Sequence, residues 1–188
     1  MPVVHLFEQP ERFVAGTVGE PGQRTFFLQA RAGARVTSVA LEKEQVAVLA
    51  ERVDDLLDEL LRVTGGDARV PAVAPQELDD SGPLDQPIAE EFRVGTMTLA
   101  WDGESEQVVL EIFSIEPTAV EDAPEPEEES EPDEVLEVHL SPALARAFAK
   151  RAQSVVSAGR PPCPFCGNPL SEDGHICPRA NGFRRVSE

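Results

Sequence analysis

Residues 12–18 (RFVAGTV) and 24–31 (RTFFLQAR) are apolar runs on either side of a Gly-Glu-Pro-Gly turn at 19–22, the pattern of two strands. A third run, Val36 to Leu41, follows a short turn containing Gly33. The period then changes. Val46, Leu49, Val53, Leu56 and Leu60 recur at spacings of three and four, and Leu57 and Leu61 widen the stripe. That spacing predicts an amphipathic helix over 43–63, stopped by Gly65-Gly66. Residues 65–87 are rich in Gly, Pro, Asp and Ala, carry no period, and read as a linker or surface loop. The order then returns. Phe92 to Ala100 reads as a strand, Trp101-Asp-Gly-Glu-Ser as a turn, Val108 to Ile115 as its hairpin partner, and Val135 to Leu140 as a third strand. Ser141 is placed as an N-cap with Pro142 at the first helical position, and the helix it opens runs to about Ala158, before Gly159.

The chain thus reads strand–strand–strand–helix twice. Gly16-Thr17 aligns with Gly95-Thr96 at an offset of 79, and Leu28 with Leu110 at 82. Val39, Leu41, Leu49, Ala50 and Arg52 align with Val138, Leu140, Phe148, Ala149 and Arg151 at 99. Most of the growth in offset is one insert at 117–134, which holds nine acids between 121 and 134 and should be a disordered loop. The expected fold class is α+β. Two βββα units, from an internal duplication, form an antiparallel sheet with helices packed on it, and a small zinc ribbon follows. The expected organisation is 1–66 first unit, 67–87 linker, 88–159 second unit with the acidic loop, and 160–188 zinc-ribbon tail. Two ordinary antiparallel meanders sharing an order by chance are the alternative.

Charge changes the picture next. The 188 residues carry 35 acids against 16 Lys plus Arg, a formal net charge of −19. A phosphate-binding surface needs a basic footprint, so the bulk charge argues against nucleic acid over most of the surface and against an anionic membrane. The charge is uneven, however. Residues 1–140 are net −23 and residues 141–188 net +4. The second helix carries Arg146, Lys150 and Arg151 without an acid, whereas 42–62 holds seven acids and three bases. If the helices are neighbours, their charges are complementary. The N-terminus has no basic stretch followed by an apolar one, so no signal peptide is expected, and no apolar window is long enough for a membrane helix. A cytoplasmic location is expected.

All three cysteines lie between 163 and 177, a poor disulfide framework and a good ligand cluster. Cys163 and Cys166 have the C-x2-C spacing of a zinc knuckle, and His175 and Cys177 supply a nitrogen and a third sulfur. Four such ligands suit tetrahedral, structural zinc with no position open for water. The His-x-Cys pair is tighter than usual, which leaves open whether His175 or Asp173 completes the shell. A redox C-x-x-C pair and plain thiols are the alternatives.

Arg160, Arg179, Arg184 and Arg185 surround the ribbon, and Arg146 and Lys150 lie on the helix before it. Such a group could hold a phosphate or an acidic partner, or could be ordinary solubilising charge. His5 and His139 are isolated. Asp54, Asp55, Asp58 and Glu59 fit a solvated helix face better than acid–base chemistry. Trp101 fits a hairpin turn. No phosphate loop, dinucleotide fingerprint or nucleophile elbow is present, and no catalytic residue is nominated.

The run from Leu140-Ser-Pro-Ala through Ala-Gly-Arg-Pro-Pro-Cys-Pro-Phe-Cys-Gly-Asn-Pro-Leu to Gly-His-Ile-Cys-Pro-Arg-Ala-Asn-Gly resembles an uncharacterised actinobacterial repeat-protein family, known as a domain of unknown function. The resemblance extends to Phe7-Glu, Arg12-Phe13 and Gly16-Thr17. It implies a cytosolic bacterial protein, often encoded near phosphatase-like and phosphoinositide-kinase-like genes whose products would be partners. It implies no activity and no catalytic residue. The leading expectation is a non-enzymatic zinc-containing adaptor acting through protein–protein contacts. An enzyme or binding protein for a phosphorylated small molecule comes second, and nucleic-acid binding through the ribbon third.

Overall fold

The computed structural model describes residues 1–66, 69–115, 132–159, 163–166, 170 and 177. The acidic insert lies outside these residues from 116 to 131, as does most of the tail. Among the described residues seven strands and two α-helices follow one another, with a single 3-10 turn at Gln76–Leu78 between α1 and β5: β1 (Val3–Phe7), β2 (Arg12–Val18), β3 (Thr25–Ala32), β4 (Arg35–Leu41), α1 (Lys43–Val63), β5 (Glu90–Asp102), β6 (Gln107–Ser114), β7 (Glu134–Leu140) and α2 (Pro142–Ser157). The architecture is α+β.

Both helices start where their sequence provides a cap. Ser141 Oγ accepts from the Leu144 N–H at 3.2 Å, with Pro142 opening α2. Gln45 turns back so that its side-chain oxygen accepts the Glu42 N–H at 2.8 Å ahead of α1. Each helix buries one stripe. Val46, Leu49, Ala50, Val53 and Leu57 face inward from α1, and Ala145, Phe148, Ala149 and Ala152 from α2.

The strands form one sheet in the order β1-β7-β6-β5-β4-β3-β2. The sheet is mixed rather than wholly antiparallel, because β4 pairs with β5 and β1 with β7 in parallel. A parallel neighbour requires a long return path, and α1 with the segment behind it supplies that path between β4 and β5. β1, where the sequence reading places no strand, extends the sheet beyond β7.

A short connection shapes the sheet. β1 and β2 stand at opposite edges, yet only residues 8–11 join them. Five Cα steps reach at most about 17 Å, whereas seven flat strands would separate the edges by about 29 Å. The sheet therefore curls. All seven strands and both helices feed one core on its concave side, with Phe7, Phe13, Leu28, Leu110, Leu136 and Phe148 among its fully buried members. Phe13 of β2 and Phe148 of α2 meet at 4.7 Å between ring centroids.

A second, smaller cluster lies on the other face of the sheet. Val14, Phe27 and Ala40, from β2, β3 and β4, are covered by Leu84 and Ile88. The segment leaving α1 on the concave side thus passes round the β2 edge and lies across the convex side before entering β5. Gly16 marks the crossing. A Cβ there would come within 2.6 Å of the Leu84 side chain.

Candidate functional site

After α2 the chain turns at 164–166, and this turn returns Cys166 toward Cys163. The Cys163 and Cys177 sulfurs are 3.8 Å apart. All three Sγ atoms lie within 4.8 Å of one another. None is in a disulfide, and Cys163 and Cys177 are buried. Sulfurs bound at ~2.3 Å to one tetrahedral ion stand about 3.8 Å from each other. The Cys163–Cys177 separation fits that edge, so the three residues could hold a metal ion, with one position left for a fourth ligand. His175 and Asp173 lie outside the described residues, as do Arg160, Arg179, Arg184 and Arg185.

Arg146 and Lys150 are placed. Arg146 is buried at 6% exposure. Its guanidinium donates at 2.8 Å to Asp54 and at 2.8 Å to Asp58, both on α1, and at 3.2 Å to the Pro71 carbonyl. The helices are neighbours with opposite charges facing. Lys150 instead reaches Asp79 at 3.0 Å, with both side chains more than half exposed.

Beside Lys150 is a charged cluster that sequence reasoning missed. Arg12 of β2 forks onto Asp80, with Nε to Oδ2 at 2.6 Å and the second nitrogen to Oδ1 at 3.0 Å, and it also reaches Asp85 at 2.8 Å. Arg151 of α2 donates to Asp80 Oδ1 at 2.7 Å, to the Gly82 carbonyl at 2.8 Å and to the Ala15 carbonyl on the β2 edge at 2.8 Å. Gln29, 1% exposed, accepts the Asp85 N–H at 2.7 Å and donates to its carbonyl at 3.0 Å. The two guanidiniums thus tie 80–85 down as a strap. The hydrogen bond with Arg12 holds the Asp80 carboxyl below its usual range, and the same bond raises Arg12. Burial pulls Arg151 down, and both arginines stay charged. A cavity of about 420 Å³ lies beside the strap, lined by Arg12, Arg151, Glu11, Glu77, Asp79 and Leu144 among others. Nothing local in the sequence pairs Arg12 with an acid 68 positions away.

The two histidines also have partners. His5 on β1 meets Glu134 at 3.0 Å, with Glu91 close by, and His139 meets Glu137 at 2.7 Å. Of the helix carboxylates, Glu59 pairs with Arg62 within α1. Trp101 packs against the core from the β5 end of the hairpin.

Fold and site together define a curled α+β sheet protein with a three-cysteine cluster able to hold a metal ion. The chain belongs to the family described as Protein of unknown function (DUF3090), whose model matches residues 5–177, from β1 to the last cysteine. No curated protein and no solved structure matches the chain. Among the described residues no helix is long and apolar enough to cross a membrane.

Proposed function

We propose that the chain is a non-enzymatic binding protein that acts through protein–protein contacts, with one structural zinc ion held by Cys163, Cys166 and Cys177. The observation that carries the metal assignment is the 3.8 Å separation of the buried Cys163 and Cys177 sulfurs, with the half-buried Cys166 thiol beside them. Three thiolates within 4.8 Å of one another repel unless a cation neutralises them, and a thiolate-rich set completed by an imidazole suits zinc. His175 is the fourth ligand in this reading, which closes the site to water. The binding role is supported by the use of the three most buried arginine side chains of the ion pairs. Arg12, Arg146 and Arg151 are engaged by carboxylates of this chain, which weighs against a phosphorylated small molecule as ligand.

The two βββα halves are read as a duplication. The alignment equates Leu28 with Leu110 and Val39 with Val138, and the registers pair Leu28 with Val39 and Leu110 with Val138. The first strands support it less, because β5 shifts register between Val94 and Met97.

Metal analysis of protein purified under reducing, chelator-free conditions tests the zinc. One zinc per chain is expected, and Cys166→Ser should lower that content sharply. Protein free of metal, or carrying iron in its place, overturns the assignment. Crosslinking in the native cell tests the binding role, and recovery of the chain alone counts against it.

A further inference from the structure

The two edges of the sheet are treated differently. The β2 edge is closed, since Arg151 takes the Ala15 carbonyl and the strap from Asp80 to Asp85 runs alongside. The β1 edge has no strand beyond it among the described residues. Val3 donates to the Asp133 carbonyl at 2.8 Å. In a parallel pair this turns the N–H groups of Val4 and Leu6, and the Val4 carbonyl, away from β7. Arg35 takes the Leu6 carbonyl, so the open stretch is centred on Val4. Exposed edges usually carry a lysine, a proline or a bulge that discourages pairing. β1 reads Val-Val-His-Leu-Phe, with Val3 at 57%, Val4 at 53% and Leu6 at 36% exposure.

The surroundings of this edge select its occupant. Among the described residues between Arg93 and Arg146 there are seven acids and no Lys or Arg. That stretch includes all of β6 and β7, and Glu134 and Glu137 lie beside Val3 and Leu6 in the pairing register. A second copy of this acidic chain would bring like charges together across the edge. Nucleic acid would be repelled for the same reason.

We propose that the open edge of β1 is the docking site for an extended basic segment of a partner protein, which adds to the sheet as an eighth strand. The proposal rests on the binding-protein reading and assigns it a surface and a partner chemistry. Main-chain hydrogen bonds to Val4 and Leu6 supply the pairing. Lysines or arginines of the incoming segment, on the face of Val3 and His5, meet Glu134, and its apolar residues, on the opposite face, cover Val4 and Leu6.

The test uses the full chain and a labelled peptide of about ten alternating lysine and valine residues. Fluorescence anisotropy should show binding that weakens as salt rises. A peptide of equal charge with proline at every second position cannot pair as a strand, and it should bind about tenfold more weakly or worse. Val4→Pro removes an outward N–H that β7 does not use, so it should weaken the alternating peptide by about tenfold as well. Amide exchange at Val4 and Leu6 in the unmodified chain gives a second readout, because strand addition should slow both. Equal binding of the two peptides, or binding that leaves both amides unprotected, overturns the proposal. So does a native dimer that Val4→Pro makes monomeric, since that gives the edge to a second copy. A chain that crosslinks to a partner yet ignores the peptide loses the β1 assignment and keeps the binding role.

Discussion

Asp80 accepts four hydrogen bonds, from two nitrogens of Arg12, one of Arg151 and the Gly82 N–H. It sits in the segment that the sequence reads as a linker, and it makes that segment part of the fold. The Arg12 bond lowers its pKa in the folded state. A carboxyl lowered on folding stabilises the protein above its unfolded pKa, and that stabilisation is lost as the pH falls through the folded value. Asp80→Asn leaves Arg12 and Arg151 facing each other without their shared anion. Breaking a fully buried pair costs about 3–5 kcal/mol. Asp80 is one-third exposed, so solvent screening reduces the expected loss to about 2 kcal/mol. Urea unfolding at neutral pH should show that loss. Near pH ~3, where an ordinary aspartate is already protonating, the gap between variant and parent should narrow. A gap of the same size at both pH values would mean that the ionised pair is not what holds the strap.

At the scale of elements, α1 and α2 are held by unlike means along one interface. Arg146 is buried and meets two α1 carboxylates, whereas Lys150 bypasses α1 for an exposed pair with Asp79. Arg146→Glu places a third carboxylate against Asp54 and Asp58 and should cost about 3–5 kcal/mol, with little dependence on salt. Lys150→Glu should cost no more than about 1 kcal/mol, and less as salt rises. Equal losses in urea unfolding would show that the helix pair does not depend on Arg146. The helices themselves were legible in the sequence, because a 3.6 period and caps are local signals. The six strands of the two meanders were legible for the same reason. β1 was not, since Val3 to Phe7 lacks alternation and its pairing is set by β7, with His5 meeting Glu134 at a separation of 129 residues. The strap was illegible too, because its order comes from guanidinium groups on β2 and α2. At the three-cysteine cluster the spacing was enough to bring the residues together on paper, and the same three cluster in the structure.

At the scale of the whole molecule, two electrostatic effects oppose each other. Ion pairs stabilise the fold and weaken with salt, while the net charge of −19 drives self-repulsion that salt relieves. Burial decides which wins. The pairs of Arg12, Arg151 and Arg146 have guanidinium side chains at most 12% exposed, so added salt reaches them poorly. The pairs that salt does reach, Arg62–Glu59, Arg69–Glu106, Arg93–Glu42 and Lys150–Asp79 among them, are exposed, and each contributes only about 0–1 kcal/mol. The repulsion involves most of the surface. The melting temperature should therefore rise as sodium chloride increases from about 0.01 M to about 0.3 M, where the Debye length falls from ~30 Å to under ~10 Å. Chloride is the proper salt for this test, because sulfate also strengthens apolar burial and would raise the melt for another reason. A melting temperature that falls over the same range would mean that the exposed pairs outweigh the repulsion, and that the acidic half carries less strain than its composition implies.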